Sequence, residues 1–172
     1  MVNSKWLNGK LRNPRSGFTL VELLVVIAII GILAAVVMIA INPAEMARKG
    51  RDATRLSDIE NVRKAIDIEV AQGAAVPNTG GVTRNSFNNP APPAGRVCSG
   101  TGWVNMNLCT YLAALPVDPT NNATYQYQFR ADGTNYELQV QLESASNNSK
   151  EQNDGGNNAA WYEVGTVLTL IP

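Results

Sequence analysis

The stretch Ser16-Gly17-Phe18-Thr19-Leu20-Val21-Glu22 runs straight into residues 23–41, nineteen positions without a charge. As a helix those residues would span about 28 Å, close to the hydrocarbon thickness of a bilayer. One carboxylate, Glu22, sits at the lip of that apolar run. An acid is costly in hydrocarbon and asks for a partner. No basic residue lies between Phe18 and Ile41 to be that partner. A cut between Gly17 and Phe18 would create one, a new positively charged α-amino group.

Four cations, Lys5, Lys10, Arg12 and Arg15, precede the run, and no acid occurs before Glu22. The remaining chain carries ten cations against fourteen acids. This asymmetry places the amino terminus in the cytoplasm and the rest outside, by the positive-inside rule. An ordinary secretory leader is cut after its apolar core, at small residues. Here the small residue, Gly17, comes before the core, so cleavage keeps the apolar segment on the mature chain. A plain uncleaved anchor explains the hydropathy and the cations but neither Glu22 nor the Gly17–Phe18 junction.

The string from Ser16 through Phe18, Thr19, Leu20, Val21, Glu22, Leu23, Leu24, Val25 and Val26 to Ile27 resembles the processing and methylation motif of type IV pilins and of type II secretion pseudopilins. The resemblance implies that a prepilin peptidase and methylase cuts between Gly17 and Phe18 and methylates the Phe18 amine. It implies that Glu22 pairs with the amine of an adjoining subunit during assembly. It further implies identical and related pilin subunits as partners, and an inner-membrane platform driven by a separate ATPase. The chain shows no nucleotide site of its own. The function expected is a structural subunit of a secretion pseudopilus; the alternative is a major or minor type IV pilin serving adhesion, motility or DNA uptake. The place expected is the cytoplasmic membrane as a single-pass protein, then an extracytoplasmic filament.

The chain has 172 residues, enough for about one domain. The fold class expected is α+β and pilin-like, a long amino-terminal helix packed by a small antiparallel sheet. Four segments follow: a basic leader over 1–17, a membrane or filament-core helix over 18–41, an amphipathic continuation over 42–73, and a small domain over 74–172. Asn42-Pro43 should interrupt the helix, because proline lacks a donor and disfavours helical geometry before it. Beyond it, Leu56, Ile59, Val62, Ile66 and Val70 step by three and four, one buried stripe. Six basic and six acidic residues between Ala44 and Gly73 read as a solvated face, with Glu60 and Lys64 at four-residue spacing, or else as contacts with neighbouring subunits of a filament. Gly73 is a natural helix stop. Residues 74–97 form a Pro/Gly/Asn-rich connector, and 108–115 read as a short helix.

From 125 to 143 aromatic and aliphatic residues alternate with glutamine and glutamate around Asp132-Gly133. This predicts an antiparallel hairpin with one buried face. A polar loop over 144–158 and a strand over 161–171 follow. Two cysteines, Cys98 and Cys109, would bond if this part lies in an oxidising compartment, closing a loop worth roughly 3 kcal/mol; two reduced or buried thiols are the other reading. The chain has no histidine, which removes Ser-His-Asp and Cys-His catalysis and would force a two-cysteine zinc site to recruit carboxylates. No cofactor is expected, except that some pseudopilins bind calcium at oxygen-rich loops; the candidate ligands here are Asp118, Asn121 and Asp132. Arg84, Arg96, Arg130 and Lys150 are scattered and make no nucleic-acid site.

Overall fold

Thr19 starts the first helix. In the computed structural model, which describes residues 17–90 and 94–172, its side chain caps α1, Leu20–Ile41. The four leader cations and residues 91–93 of the connector lie outside the described residues. None of the 22 residues of α1 is buried. It is long and apolar enough to cross a membrane. Asn42 ends it in the left-handed conformation, with φ 46° and ψ 76°. Pro43 opens α2, Pro43–Ala71, at the one helical position where a missing N–H costs nothing. The expected interruption therefore falls on a single residue. The chain divides there into two compact units.

Within the second unit, α2 buries Ile59, Val62, Ala65 and Ile66, with Leu56 and Val70 partly covered. That is the apolar stripe of the sequence. It packs in one core with a four-stranded antiparallel sheet of order β1-β2-β3-β4: β1 Arg84–Asn85, β2 Tyr127–Ala131, β3 Tyr136–Val140 and β4 Tyr162–Gly165. Tyr127, Phe129 and Ala131 alternate inward from β2, and Tyr136, Leu138 and Val140 from β3. The β2–β3 turn is the predicted one. Gly133 takes φ 98°, and the Asp132 carboxylate accepts from the Thr134 and Asn135 N–H groups at 2.8 and 2.7 Å.

Four expectations need correction. β3 is buried on both faces, not one, because its polar side chains Glu137 and Gln139 are covered and hydrogen-bonded. Residues 108–115 are turns rather than a helix: the Leu112 N–H closes one turn onto the Leu108 carbonyl, and the Leu115 N–H then pairs with the Arg96 carbonyl instead of continuing it. The last strand stops at Gly165; further on, the Leu170 and Ile171 N–H groups go to the Glu137 carboxylate instead of to a strand. The polar loop contains a short helix, α3, Asn148–Gln152.

The loop from Cys98 to Cys109 supplies much of the core. Trp103, Val104, Met106 and Leu108 are all buried. Trp103 donates its indole N–H to the Pro116 carbonyl at 2.8 Å and lies 5.9 Å from the Tyr127 ring. Gly102 has no room for a side chain: a Cβ there would lie 2.1 Å from the Val97 carbonyl oxygen. The two cysteines are bonded to each other.

Candidate processing and assembly site

Phe18 is 91% exposed, and every apolar side chain that follows it in α1 is exposed too. A helix apolar on all sides has no place in water; lipid or other such helices must cover it. Glu22 is the one acid in its first turn. Its carboxylate folds back along the chain. Oε2 accepts from the Thr19 N–H and from the Thr19 hydroxyl, both at 2.8 Å, while the Glu22 N–H donates to Thr19 Oγ1 at 3.2 Å. This is a capping box, and it satisfies donors that the helix start would otherwise leave open. The Glu22 charge itself meets no cation among the described residues. Thr19 went unassigned at the sequence level, although Thr-x-x-Glu ahead of an apolar run is a readable signal.

A second charged site lies at α2, and the solvated-face reading does not hold there. Asp52 and Arg55 are fully buried. Arg55 forks onto Asp118, Nε to Oδ2 at 2.6 Å and Nη2 to Oδ1 at 2.9 Å. It also reaches Asp52 at 2.9 Å and Glu143 at 2.7 Å, and lies 4.8 Å from the centre of the Tyr125 ring. Asp52 in turn accepts from the Glu143 and Ser144 N–H groups, each at 2.9 Å. Arg51 closes the cluster on Glu143. Burial pulls the Arg55 guanidinium down, but its bonds to Asp118 and Glu143 outweigh that and raise it. The hydrogen bond from Arg51 leads in holding Glu143 low, at about 2. Farther along α2, Asp58 accepts from the Tyr127 hydroxyl at 2.8 Å, and Asp67 from that of Tyr136. The helix charges are thus ties to the sheet as much as surface. The expected Glu60–Lys64 pair forms at 3.6 Å.

The three calcium candidates are engaged elsewhere. Asp118 neutralises Arg55 and caps its own turn, accepting from Thr120 N–H at 2.8 Å and from Asn121 N–H at 3.2 Å. The Asn121 side-chain oxygen, Oδ1, accepts from the Ser86 hydroxyl at 2.9 Å. Asp132 serves the β2–β3 turn. Among the described residues no group of three or more acids or cysteines is placed to hold a metal. Arg84 donates to the Gly102 carbonyl at 2.7 Å and so braces the disulfide loop.

A membrane-length apolar helix headed by a lone acid, and carrying an α+β domain, defines the pilin-like class of filament subunits. Comparison with known proteins agrees with that class and narrows it. The prokaryotic N-terminal methylation motif matches residues 12–38. The type II secretion system core protein G of Pseudomonas aeruginosa is 34% identical over 129 residues, covering 72% of this chain and 78% of that protein. No solved structure matches. The chain belongs to the type IV pilin and pseudopilin family, and within it to the structural subunits of pseudopili.

Proposed function

We propose that the chain is made as a membrane-held precursor, cut between Gly17 and Phe18, methylated on the Phe18 amine, and polymerised through Glu22 into a type II secretion pseudopilus. The carrying observation is the lone carboxylate four residues beyond Phe18 on a helix with no buried side chain. A carboxylate taken into the apolar centre of a polymer loses water, and an opposed ammonium offsets part of that loss. Only one axial stagger sets acid beside amine, so the pair acts as a register mark. Before assembly the Thr19 box holds the same carboxylate. The chain is the substrate of the processing enzyme, and its work is structural. The cationic leader would keep the junction at the cytoplasmic surface, with the carboxy-terminal domain outside. Other pilin subunits and the peptidase are the partners its family implies; an assembly platform and an ATPase would supply the motion.

Mass spectrometry of the mature amino terminus, paired with electron microscopy of filaments, tests this. A chain starting at methylated Phe18 is the expected product. Glu22→Ala should be cut and methylated normally, yet lose roughly 1–3 kcal/mol per subunit contact, enough to cut filament yield about fivefold or more. A mature form starting at Met1, or normal filaments from processed Glu22→Ala, would overturn the proposal.

A further inference from the structure

The sheet face opposite the α2 core carries three buried polar side chains, Glu137, Gln139 and Glu163. Glu163 stands across from Gln139 in the β3–β4 register and so lies diagonal to Glu137. Gln139 donates its side-chain N–H to Gln128 Oε1 at 2.8 Å, while its own Oε1 is buried with no donor among the described residues. Glu137 uses only one oxygen: Oε2 accepts from the Leu170 and Ile171 N–H groups at 2.6 and 2.9 Å and so holds the carboxy-terminal segment. Its Oε1 is buried with no hydrogen-bond donor among the described residues. Glu163 Oε2 accepts from the Asn158 N–H at 3.1 Å. With its amide turned to suit its neighbours, Asn157 donates to Glu163 Oε1 at 2.9 Å and to the Leu168 carbonyl at 3.1 Å. Gly156 closes the site, since a Cβ there would lie 1.7 Å from Glu163 Oε2.

No cation answers these two acids among the described ion pairs. Asp154 adds a third carboxylate and accepts from the Glu163 N–H at 2.7 Å. Glu60 and Arg63 of α2, with Lys150 of α3, line the open cleft beside Glu163; Arg63 is taken by Glu60 at 2.8 Å. Arg130 is the cross-strand neighbour of Glu137 on β2, but one of its terminal nitrogens lies beside Gly81, 3.5 Å from where a Cβ would sit. Residues 166–172 bring backbone N–H groups and no charged side chain. Burial, with the Glu137 carboxylate adding to it against the pull of the Asn158 N–H, pushes Glu163 up to about 7. Two neighbouring carboxylates without a counter-ion cannot both ionise cheaply.

We propose that Glu163 keeps its proton turned toward the Glu137 carboxylate, and that this carboxyl–carboxylate pair is a pH-sensitive latch holding residues 168–172 on the sheet. The proton lies between Glu137 Oε1 and the Glu163 carboxyl group. Raising the pH releases it to solvent and leaves two facing anions. The repulsion loads the Glu137 carboxylate that grips Leu170 and Ile171. The raised acid favours the latched form below the ordinary carboxylate range; that contribution fades as pH climbs to about 7 and is gone above it.

Amide hydrogen exchange on the full chain in detergent micelles tests the latch. Rates for residues 168–171 are normalised to the same unstructured peptide at each pH. Between about pH 5.5 and about pH 8.5, protection in the wild type should fall on the order of tenfold. Glu163→Gln keeps a donor toward Glu137 but cannot titrate, so its protection should stay flat. Glu137→Gln should flatten the profile in the same way. An infrared carbonyl band from a protonated carboxyl should be present in the wild type at about pH 6 and absent at about pH 8.5. Flat protection in the wild type, an unchanged decline in both variants, or no protonated-carboxyl band at the lower pH overturns the latch.

Discussion

Arg55 shows what one buried side chain can tie together. It joins Asp52 on its own helix to Asp118 and Glu143, which lie far along the chain. Removing the guanidinium strands at least two fully covered acids, Asp52 and Asp118. Arg55→Met should therefore cost about 3–5 kcal/mol in chemical unfolding of the detergent-held chain. Arg55→Lys should recover little of it, because a point ammonium cannot fork onto Asp118 while reaching two further acids. The same reasoning governs calcium. Asp118 is already neutralised, so the melting temperature should be the same with added calcium and with chelator; a rise with calcium would show that other oxygens form a site. The Asp52–Arg55 spacing is visible in the sequence, but its burial is not, because the partners that compensate it lie 63 and 88 residues away. Gly17, Phe18 and Glu22 are different: the roles proposed for them rest on a short local string.

At the scale of elements, the hairpin and the helix stripe were legible because each follows a simple period. Tyr127, Phe129, Tyr136, Leu138 and Val140 alternate as strands on a core must. The second buried face of β3 was not legible, since glutamate and glutamine there look like solvent residues. Their burial depends on the tail that Glu137 captures by its backbone. Residues 108–115 misled for a related reason: a helical pattern lost to long-range hydrogen bonds from the connector. The disulfide loop makes the clearest element-scale prediction. Cys98 and Cys109 fasten a loop that inserts Trp103, Val104, Met106 and Leu108 into the core. Replacing both by serine should cost about 3 kcal/mol and shift the Trp103 emission to the red, as its ring gains water. An unchanged unfolding midpoint would mean that packing alone holds the loop.

For the whole molecule, two groups of carboxylates set the pH response, and they act with opposite sign. Glu143 is held at about 2, first by its hydrogen bond from Arg51. Its contribution to stability is complete above the ordinary carboxylate range and is lost as pH falls toward about 2. Glu163 is raised to about 7, so its contribution is complete below the ordinary range and fades as pH rises to about 7. Burial leads in raising Asp58 and Glu151, which act in the same direction as Glu163. The sum is a stability maximum on the acid side of neutrality, with a decline toward strong acid and a second decline approaching pH 7. Melting temperatures of the full chain across about pH 3 to about pH 8.5 should trace that shape. The variants divide it: Glu143→Gln should flatten the acid limb, because Arg51 and Arg55 then lose a titrating partner, whereas Glu163→Gln should flatten the limb near neutrality and leave the acid limb in place. A maximum above pH 7 in the wild type would contradict the Glu163 assignment, whose contribution has faded by then, whereas the Glu143 contribution is level there and is tested by the acid limb alone.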